Sequence, residues 1–196
     1  MGSIEQFISP RDLKRLYDSD ECKYIPDPEE EKLVMTDKQK KELEWDLGWE
    51  LHKYARTQER EKLKTLLKEG GAYCGAPDVF ADLNWQNEFG STPLWWTCMH
   101  GDEELTQLLI DAGADLDQCD DDLWTPVSVA SRYGHDNCLE LLINAGADLT
   151  IKVADGDYAL DKANFWEHDE CEHLLKQAGA PMAFPPVPRI EVTSSC

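Results

Sequence analysis

A 33-residue repetition in the second half of the chain restricts its possible folds more than any other feature of the sequence. One copy begins at Thr92 and reads TPLWWTCMHGDEELTQLLIDAGADL, and the next begins at Thr125 and reads TPVSVASRYGHDNCLELLINAGADL. A third copy, which departs further from the pattern, begins at Tyr158 and reads YALDKANFWEHDECEHLLKQAGA. Such a period is typical of repeat proteins, in which one unit cannot bury its own apolar face. We therefore expect these units to stack into a solenoid.

Each copy predicts two helices joined by a turn. Thr92 and Thr125 are suited to cap a short first helix, and the proline after each is tolerated in a first helical turn. Gly101 and Gly134 permit the turn, and leucines spaced i, i+3 and i+4 predict an amphipathic second helix. In the third copy Glu167 takes the place of the turn glycine, where a left-handed conformation costs about 1 to 2 kcal/mol. We interpret this copy as a weak closing cap.

These features resemble the ankyrin repeat. The resemblance covers copies at 92–124, 125–157 and 158–180, in which the glycine of the AGA element keeps the same register. A divergent earlier copy at 46–72 ends ELHKYARTQEREKLKTLLKEGGA. The resemblance implies an all-α ankyrin-repeat solenoid of helix-turn-helix units with loop or β-turn fingers.

The chain then divides into three parts. We predict an N-terminal helical extension and linker at 1–45 and an ankyrin-repeat domain of about four repeats at 46–180, with a long insertion at 73–91. A proline-rich tail follows at 181–196. A capping-box pattern at Thr36 opens a helix toward two tryptophans, Trp45 and Trp49, which we expect to cover the open end of the first repeat.

The charge of the chain favours a basic partner. The net charge is −21, and residues 92–180 hold nineteen acidic but only four basic side chains. This field repels phosphate backbones, so we expect no direct nucleic-acid binding, and it attracts a basic protein. No apolar run is long enough to span a membrane, and the N-terminus lacks the apolar core of a signal peptide. Seven cysteines without a C-x-x-C pair suit reduced thiols. We expect a monomer that is located in the cytoplasm, with the nucleus as a second location.

Two histidine–cysteine pairs suggest a metal site at first sight. His135 and Cys138, like His168 and Cys171, are three residues apart and so share a helix face. Equivalent helices of stacked repeats lie roughly 8 to 10 Å apart, whereas zinc needs ligands at about 2.0 to 2.3 Å. We therefore expect buried structural cysteines, turn histidines and no bound metal.

The acidic loop and the remaining motifs favour neither metal binding nor catalysis. In the loop ADLDQCDDD, Asp120 falls where a calcium-binding EF-hand requires glycine, so we interpret the loop as solvated. The chain contains no nucleophile elbow, HExxH motif or dinucleotide fingerprint. We predict no enzymatic activity and no cofactor.

The resemblance also implies where a partner would bind. Ankyrin proteins use a concave face built from the loop residues before the Thr-Pro and from the end of the first helix. Carried over by position, this face comprises Glu88, Phe89, Ser91, Met99, His100, Asp121, Asp122, Trp124, Arg132, Tyr133, Asp155, Asp157, Phe165 and Trp166. Acids beside aromatics suit a partner's lysine and arginine. Leu123 stands where the family has glycine, so we expect the loop before Trp124 to differ in shape.

The sequence therefore predicts a protein-interaction module whose acidic concave face binds a basic protein. One alternative is a dedicated chaperone or escort of a basic client, such as a ribosomal protein or a histone. An alternative of another class is a thiol or metal sensor that uses Cys138 and Cys171.

Overall fold

The structure, a computed structural model, describes residues 37–69 and 81–183. Helices are the only regular secondary structure in these two ranges. Their bounds are α1 Asp37–Thr57, α2 Arg60–Glu69, α3 Pro93–His100, α4 Glu103–Ala112, α5 Pro126–Tyr133, α6 Asp136–Ala145, α7 Ala159–Phe165 and α8 Asp169–Gln177. Thr36, the linker before it, residues 70–80 of the insertion region and the tail beyond residue 183 lie outside the described residues.

The eight helices form four antiparallel pairs that stack in chain order. The inner helices α1, α3, α5 and α7 each contact the next, and the outer helices α2, α4, α6 and α8 do the same. Both layers therefore form continuous rows, which confirms the all-α repeat solenoid. None of the helices in 37–69 and 81–183 combines the length and apolar character needed to cross a membrane.

Helix α1 spans the predicted boundary between the N-terminal extension and the first repeat. It runs without interruption across residue 46, where the N-terminal extension was expected to end. Its buried side chains, Leu43, Leu47, Leu51 and Ala55, form the inner face of the first pair. The extension and the first repeat therefore share one helix.

Trp45 and Trp49, which were predicted to cover the open end of the first repeat, lie on α1. They remain 59% and 41% exposed, and the leucines of α1 make the buried face instead. The Trp45 ring meets the edge of Trp85 at 5.6 Å between ring centroids. Gly48 permits this approach, because a Cβ atom there would lie 2.8 Å from Trp85 Cβ.

The helix caps are those that the repeat pattern predicts. The Thr92 hydroxyl accepts a hydrogen bond from the Trp95 amide at 3.1 Å. The Thr125 hydroxyl accepts one from the Ser128 amide at 3.2 Å. Each helix then continues from a proline at its first position. These caps satisfy amide donors that a helix N-terminus otherwise leaves unpaired.

The turn glycines serve a second purpose, because a histidine of the next repeat packs on each of them. A Cβ atom on Gly101 would lie 2.4 Å from the His135 ring, and one on Gly134 would lie 2.6 Å from the His168 ring. His135 Nε2 lies 3.0 Å from the Met99 carbonyl oxygen. The predicted turn histidines are thus links between successive repeats.

Three residues other than glycine adopt the left-handed conformation in residues 37–69 and 81–183. Gln58 has φ 57° in the turn between α1 and α2. Glu167 has φ 58°, as predicted from its place in the turn. Leu123 has φ 61°, close to the φ of 75° and 90° at the corresponding Gly90 and Gly156. The expectation that this loop would differ in shape is therefore wrong, and the loop keeps its shape at the expense of backbone strain.

Candidate protein-interaction surface

Three loops stand side by side next to the inner helices. The Asp121 amide donates to the Phe89 carbonyl, and the Ala154 amide donates to the Asp122 carbonyl, both at 3.1 Å. These bonds align residues 86–91, 119–124 and 153–157 in a row. We call this row, together with the last residues of α3, α5 and α7 and the adjoining Trp166, the finger surface.

The finger surface contains the residues that the sequence predicts as partner-binding. Exposed members are Glu88, Phe89, Asp121, Asp122, Tyr133, Asp155, Phe165 and Trp166, and partly buried members are Met99, His100, Trp124, Arg132 and Asp157. Ser91 is buried, with 4% exposure, and donates its amide to Asn87 Oδ1. Including Ser91 in the binding face was therefore wrong.

Exposed apolar side chains are concentrated on one side of the solenoid. In residues 37–69 and 81–183 the large exposed ones are Trp45, Trp49, Phe89, Leu123, Tyr133, Phe165 and Trp166. All of them lie on inner helices, fingers or the turn after α7, and the outer helices of the same ranges carry none. A concentration of exposed apolar side chains on one side is typical of an interaction site.

Arg132 occupies the middle of an aromatic group on this surface. Its guanidinium carbon lies 4.9 Å from the centre of the Trp124 ring, 5.8 Å from Tyr133 and 5.6 Å from Trp166. At these distances the rings attract a cation electrostatically. Three aromatic members of the predicted partner-binding face are thus gathered around one arginine.

Lys162 of α7 is a member of the site that sequence reasoning missed. It is only 7% exposed and forms ion pairs with Asp155 and with Asp157, the latter at 2.8 Å. Its ammonium also lies 5.2 Å from the Trp124 ring centre. Burial lowers the pKa of Lys162, but the hydrogen bonds to the two aspartates outweigh it and raise the pKa overall. The sequence does contain a signal for this ion-pair group: Lys162 stands among the apolar residues of α7, and Asp155 and Asp157 precede it by a few positions.

The sequence predicts that the acids and aromatics of this face suit a partner's lysine and arginine, but cations of the chain itself occupy part of it. Trp124 already faces two cations of the chain itself, Arg132 and Lys162. Asp157 is engaged by Lys162, and His100 lies 3.0 Å from the Arg56 carbonyl through its Nε2. These side chains stabilise the finger surface, and the exposed rings and acids around them remain open to a partner.

A second aromatic group lies at the first pair of helices. The His52 ring is 95% buried, with Trp85 at 5.1 Å and Trp96 at 6.1 Å between ring centroids. Its Nε2 atom has no hydrogen-bond partner among the described residues. Burial and, secondarily, the charge of Arg56 lower the pKa of His52 to about 4.

Three cysteines of the described residues lie in the core as apolar groups. Cys98, Cys138 and Cys171 are buried in the core, as predicted for the last two, and burial raises the pKa of each thiol, to about 12 for Cys171. The Thr106 hydroxyl donates to Cys138 Sγ at 3.6 Å. Because reactive cysteines need a lowered pKa and access, these properties do not support the sensor hypothesis.

The acidic loop is held by hydrogen bonds to its own backbone. Asp120 Oδ1 accepts from the amides of Asp122 and Trp124 at 3.0 and 2.8 Å, and Asp117 Oδ1 accepts from the Asp148 amide at 2.8 Å. The carboxylates thus shape the fingers. Across residues 37–69 and 81–183 no three His, Cys, Asp or Glu side chains converge in a way that would hold a metal ion.

The fold and this surface define a helical-repeat protein of the kind that presents one face to a partner. The family model of ankyrin repeats, described as three copies, matches residues 51–153, which is more than half of the chain. The chain belongs to the ankyrin-repeat family. The match begins within the divergent first repeat and ends before α7. This end is consistent with the last repeat, whose sequence departs from the repeat pattern.

Proposed function

We propose that the protein is a non-enzymatic interaction module whose finger surface holds a basic segment of a partner protein. Ankyrin repeats are protein-interaction modules, so the class of function follows from the family. The observation that carries the choice of surface is the one-sided placement of the exposed aromatic and apolar side chains. Aromatic residues and arginine supply most of the binding energy in protein interfaces.

The charge of the same surface supports a basic partner. Glu88, Asp121 and Asp122 are exposed on the fingers. Such rim charges act mainly on the rate of encounter and on its dependence on salt. An acidic rim around aromatic rings therefore fits a partner segment whose basic residues lie at its edges.

The test removes acidic charge from the fingers without disturbing Lys162. We would combine Glu88→Gln, Asp121→Asn and Asp122→Asn, leaving Asp155 in place because it pairs with Lys162. Partners would be captured from a lysate by crosslinking and affinity purification, at low and at moderate salt. We expect the variant to recover a basic partner poorly at low salt and to lose most of the salt dependence of wild type.

A matched control removes the same number of charges from the outer helices. Glu103→Gln, Glu140→Gln and Glu170→Gln lie on α4, α6 and α8, and all three side chains are exposed. This control should recover the partner as wild type does. If the control loses the partner and the finger variant keeps it, the binding surface is on the outer side.

A further inference from the structure

We propose that Arg132 pairs with a carboxylate of the partner, so that the segment bound at the finger surface carries an acidic residue between basic ones. This inference rests on the proposed function and deepens it, because it specifies the chemistry at the centre of the interface. It begins from a positive charge that stands among aromatic rings on a strongly acidic surface.

The guanidinium of Arg132 has unused hydrogen-bond donors. Within residues 37–69 and 81–183, no carboxylate lies within ion-pair distance of it. Its nitrogens are also not among the buried polar atoms without partners, so they remain accessible to solvent. Two lysines of the neighbouring helices are instead paired with acids, Lys162 with Asp155 and Lys176 with Glu172. Arg132 is held by rings rather than by acids.

Aromatic contact and ion pairing use different parts of an arginine. Rings attract the guanidinium through its face, whereas its five N–H donors point outward in the guanidinium plane. A carboxylate can therefore bind at the edge of Arg132 while the rings of Trp124, Tyr133 and Trp166 stay in place. Such a pair next to apolar rings is less screened than one in open water.

The position of Arg132 is fixed before any partner arrives. Its carbonyl oxygen lies 3.0 Å from His168 Nε2, which ties the end of α5 to the next repeat. The three rings restrict the side chain itself. Because ordering a free arginine side chain on binding costs entropy, this arrangement lowers the penalty of forming the ion pair.

The same geometry disfavours a partner lysine at the centre of the site. An incoming cation at Trp124 would meet Arg132 and Lys162, which already lie 4.9 and 5.2 Å from the ring centre. Like charges this close repel one another. Basic residues of the partner are instead complementary to the exposed acids of the fingers, Glu88, Asp121 and Asp122.

Two synthetic peptides test this arrangement. The first is acetyl-Lys-Lys-Glu-Lys-Lys-amide, and the second has glutamine in place of the central glutamate. Binding to the full chain would be measured by NMR titration of backbone and indole amide signals. Attraction by the net charge of −21 alone favours the glutamine peptide, which carries the higher positive charge. A partner carboxylate on Arg132 reverses this order.

We expect wild type to bind the glutamate peptide about fivefold more tightly than the glutamine peptide. Arg132→Gln should abolish or reverse this preference. Arg56→Gln changes the net charge equally at an exposed residue of α1 and should retain it. Equal or tighter binding of the glutamine peptide by wild type overturns the inference.

The outcomes also separate this inference from the proposed function. If both peptides bind equally and binding weakens in the variant Glu88→Gln, Asp121→Asn, Asp122→Asn, the acidic surface stands and the role of Arg132 falls. If neither peptide binds wild type, both proposals fail for this surface. A preference for glutamate that survives Arg132→Gln shows that another group receives the carboxylate, which also overturns the inference.

Discussion

Replacing Glu167 by glycine should stabilise the last repeat, although most substitutions by glycine destabilise. Glu167 has φ 58° in the turn between α7 and α8, where earlier repeats place Gly101 and Gly134. Relieving a left-handed side-chain residue gains about 1 to 2 kcal/mol. The greater freedom of glycine in the unfolded chain offsets about 0.5 to 1 kcal/mol of this. We expect a net gain in the free energy of unfolding of about 0.5 to 1 kcal/mol.

The structure gives no competing loss for this substitution. The Glu167 side chain is exposed, and within the described ranges it forms no hydrogen bond or ion pair. Urea unfolding would measure the stability, and amide hydrogen exchange would locate the change. In wild type, residues 158–180 should exchange through openings of lower free energy than residues 125–148. In Glu167→Gly this difference should shrink.

A control separates relief of strain from a general effect of glycine. Glu140 is exposed in α6, which has ordinary helical geometry, so Glu140→Gly should destabilise by about 0.5 kcal/mol. The reasoning is refuted if Glu167→Gly destabilises the protein as Glu140→Gly does. It is equally refuted if protection at 158–180 already matches that at 125–148 in wild type.

Three further predictions follow from buried groups. The folded state lowers the pKa of His52 from 6.5 to about 4, so the unfolded chain takes up the proton first and stability falls as the pH drops from about 6.5 to about 4. In urea unfolding at several pH values, His52→Leu should lack this part of the loss of stability. If stability falls with pH equally in wild type and in His52→Leu, the lowered pKa of His52 is contradicted. The double variant Cys138→Val, Cys171→Val should keep its fold and its partner binding, because both thiols pack as small apolar groups. Loss of partner binding at unchanged stability would contradict a purely structural role of the two cysteines. Lys162→Met should destabilise the protein by about 1 to 2 kcal/mol, because it leaves Asp155 and Asp157 without their buried cation. Lys176→Met removes an exposed ion pair and should change the stability by less than about 0.5 kcal/mol in the same urea assay. Equal effects of the two substitutions would show that the ion pairs of Lys162 contribute no more than surface pairs.

The repeat architecture could be predicted because its determinants are local. A threonine followed by proline, a turn glycine and leucines at helical spacing each act within a few residues, and the 33-residue period shows that they recur together. Burial of Cys138 and Cys171 followed from the same register. Each of these features has one favoured local conformation, so the sequence pattern sufficed.

The details of the site depend on contacts between repeats, which no local pattern encodes. Lys162 belongs to the site only because α7 places it beside Trp124, 38 positions earlier in the chain. Leu123 is left-handed against its own preference because backbone hydrogen bonds on both sides fix the finger, including Leu123 N to Asp120 O at 2.9 Å. Tertiary contacts decide both cases, and local propensity opposes the second.

The most direct measurement of the central claim is the rate at which a captured partner dissociates from the finger surface. We would compare wild type with Trp124→Ala, Tyr133→Ala and Trp166→Ala by biolayer interferometry on the crosslink-identified partner, after verifying folding by urea unfolding. His173→Ala on the outer helix α8 serves as control.

The account predicts that each aromatic variant loses about 1 to 3 kcal/mol of binding free energy, mainly through faster dissociation, while the control behaves as wild type. Normal dissociation in all three variants would show that the partner does not use these rings and would contradict the binding role of the finger surface. Unfolding of the variants would instead show that these rings belong to the core.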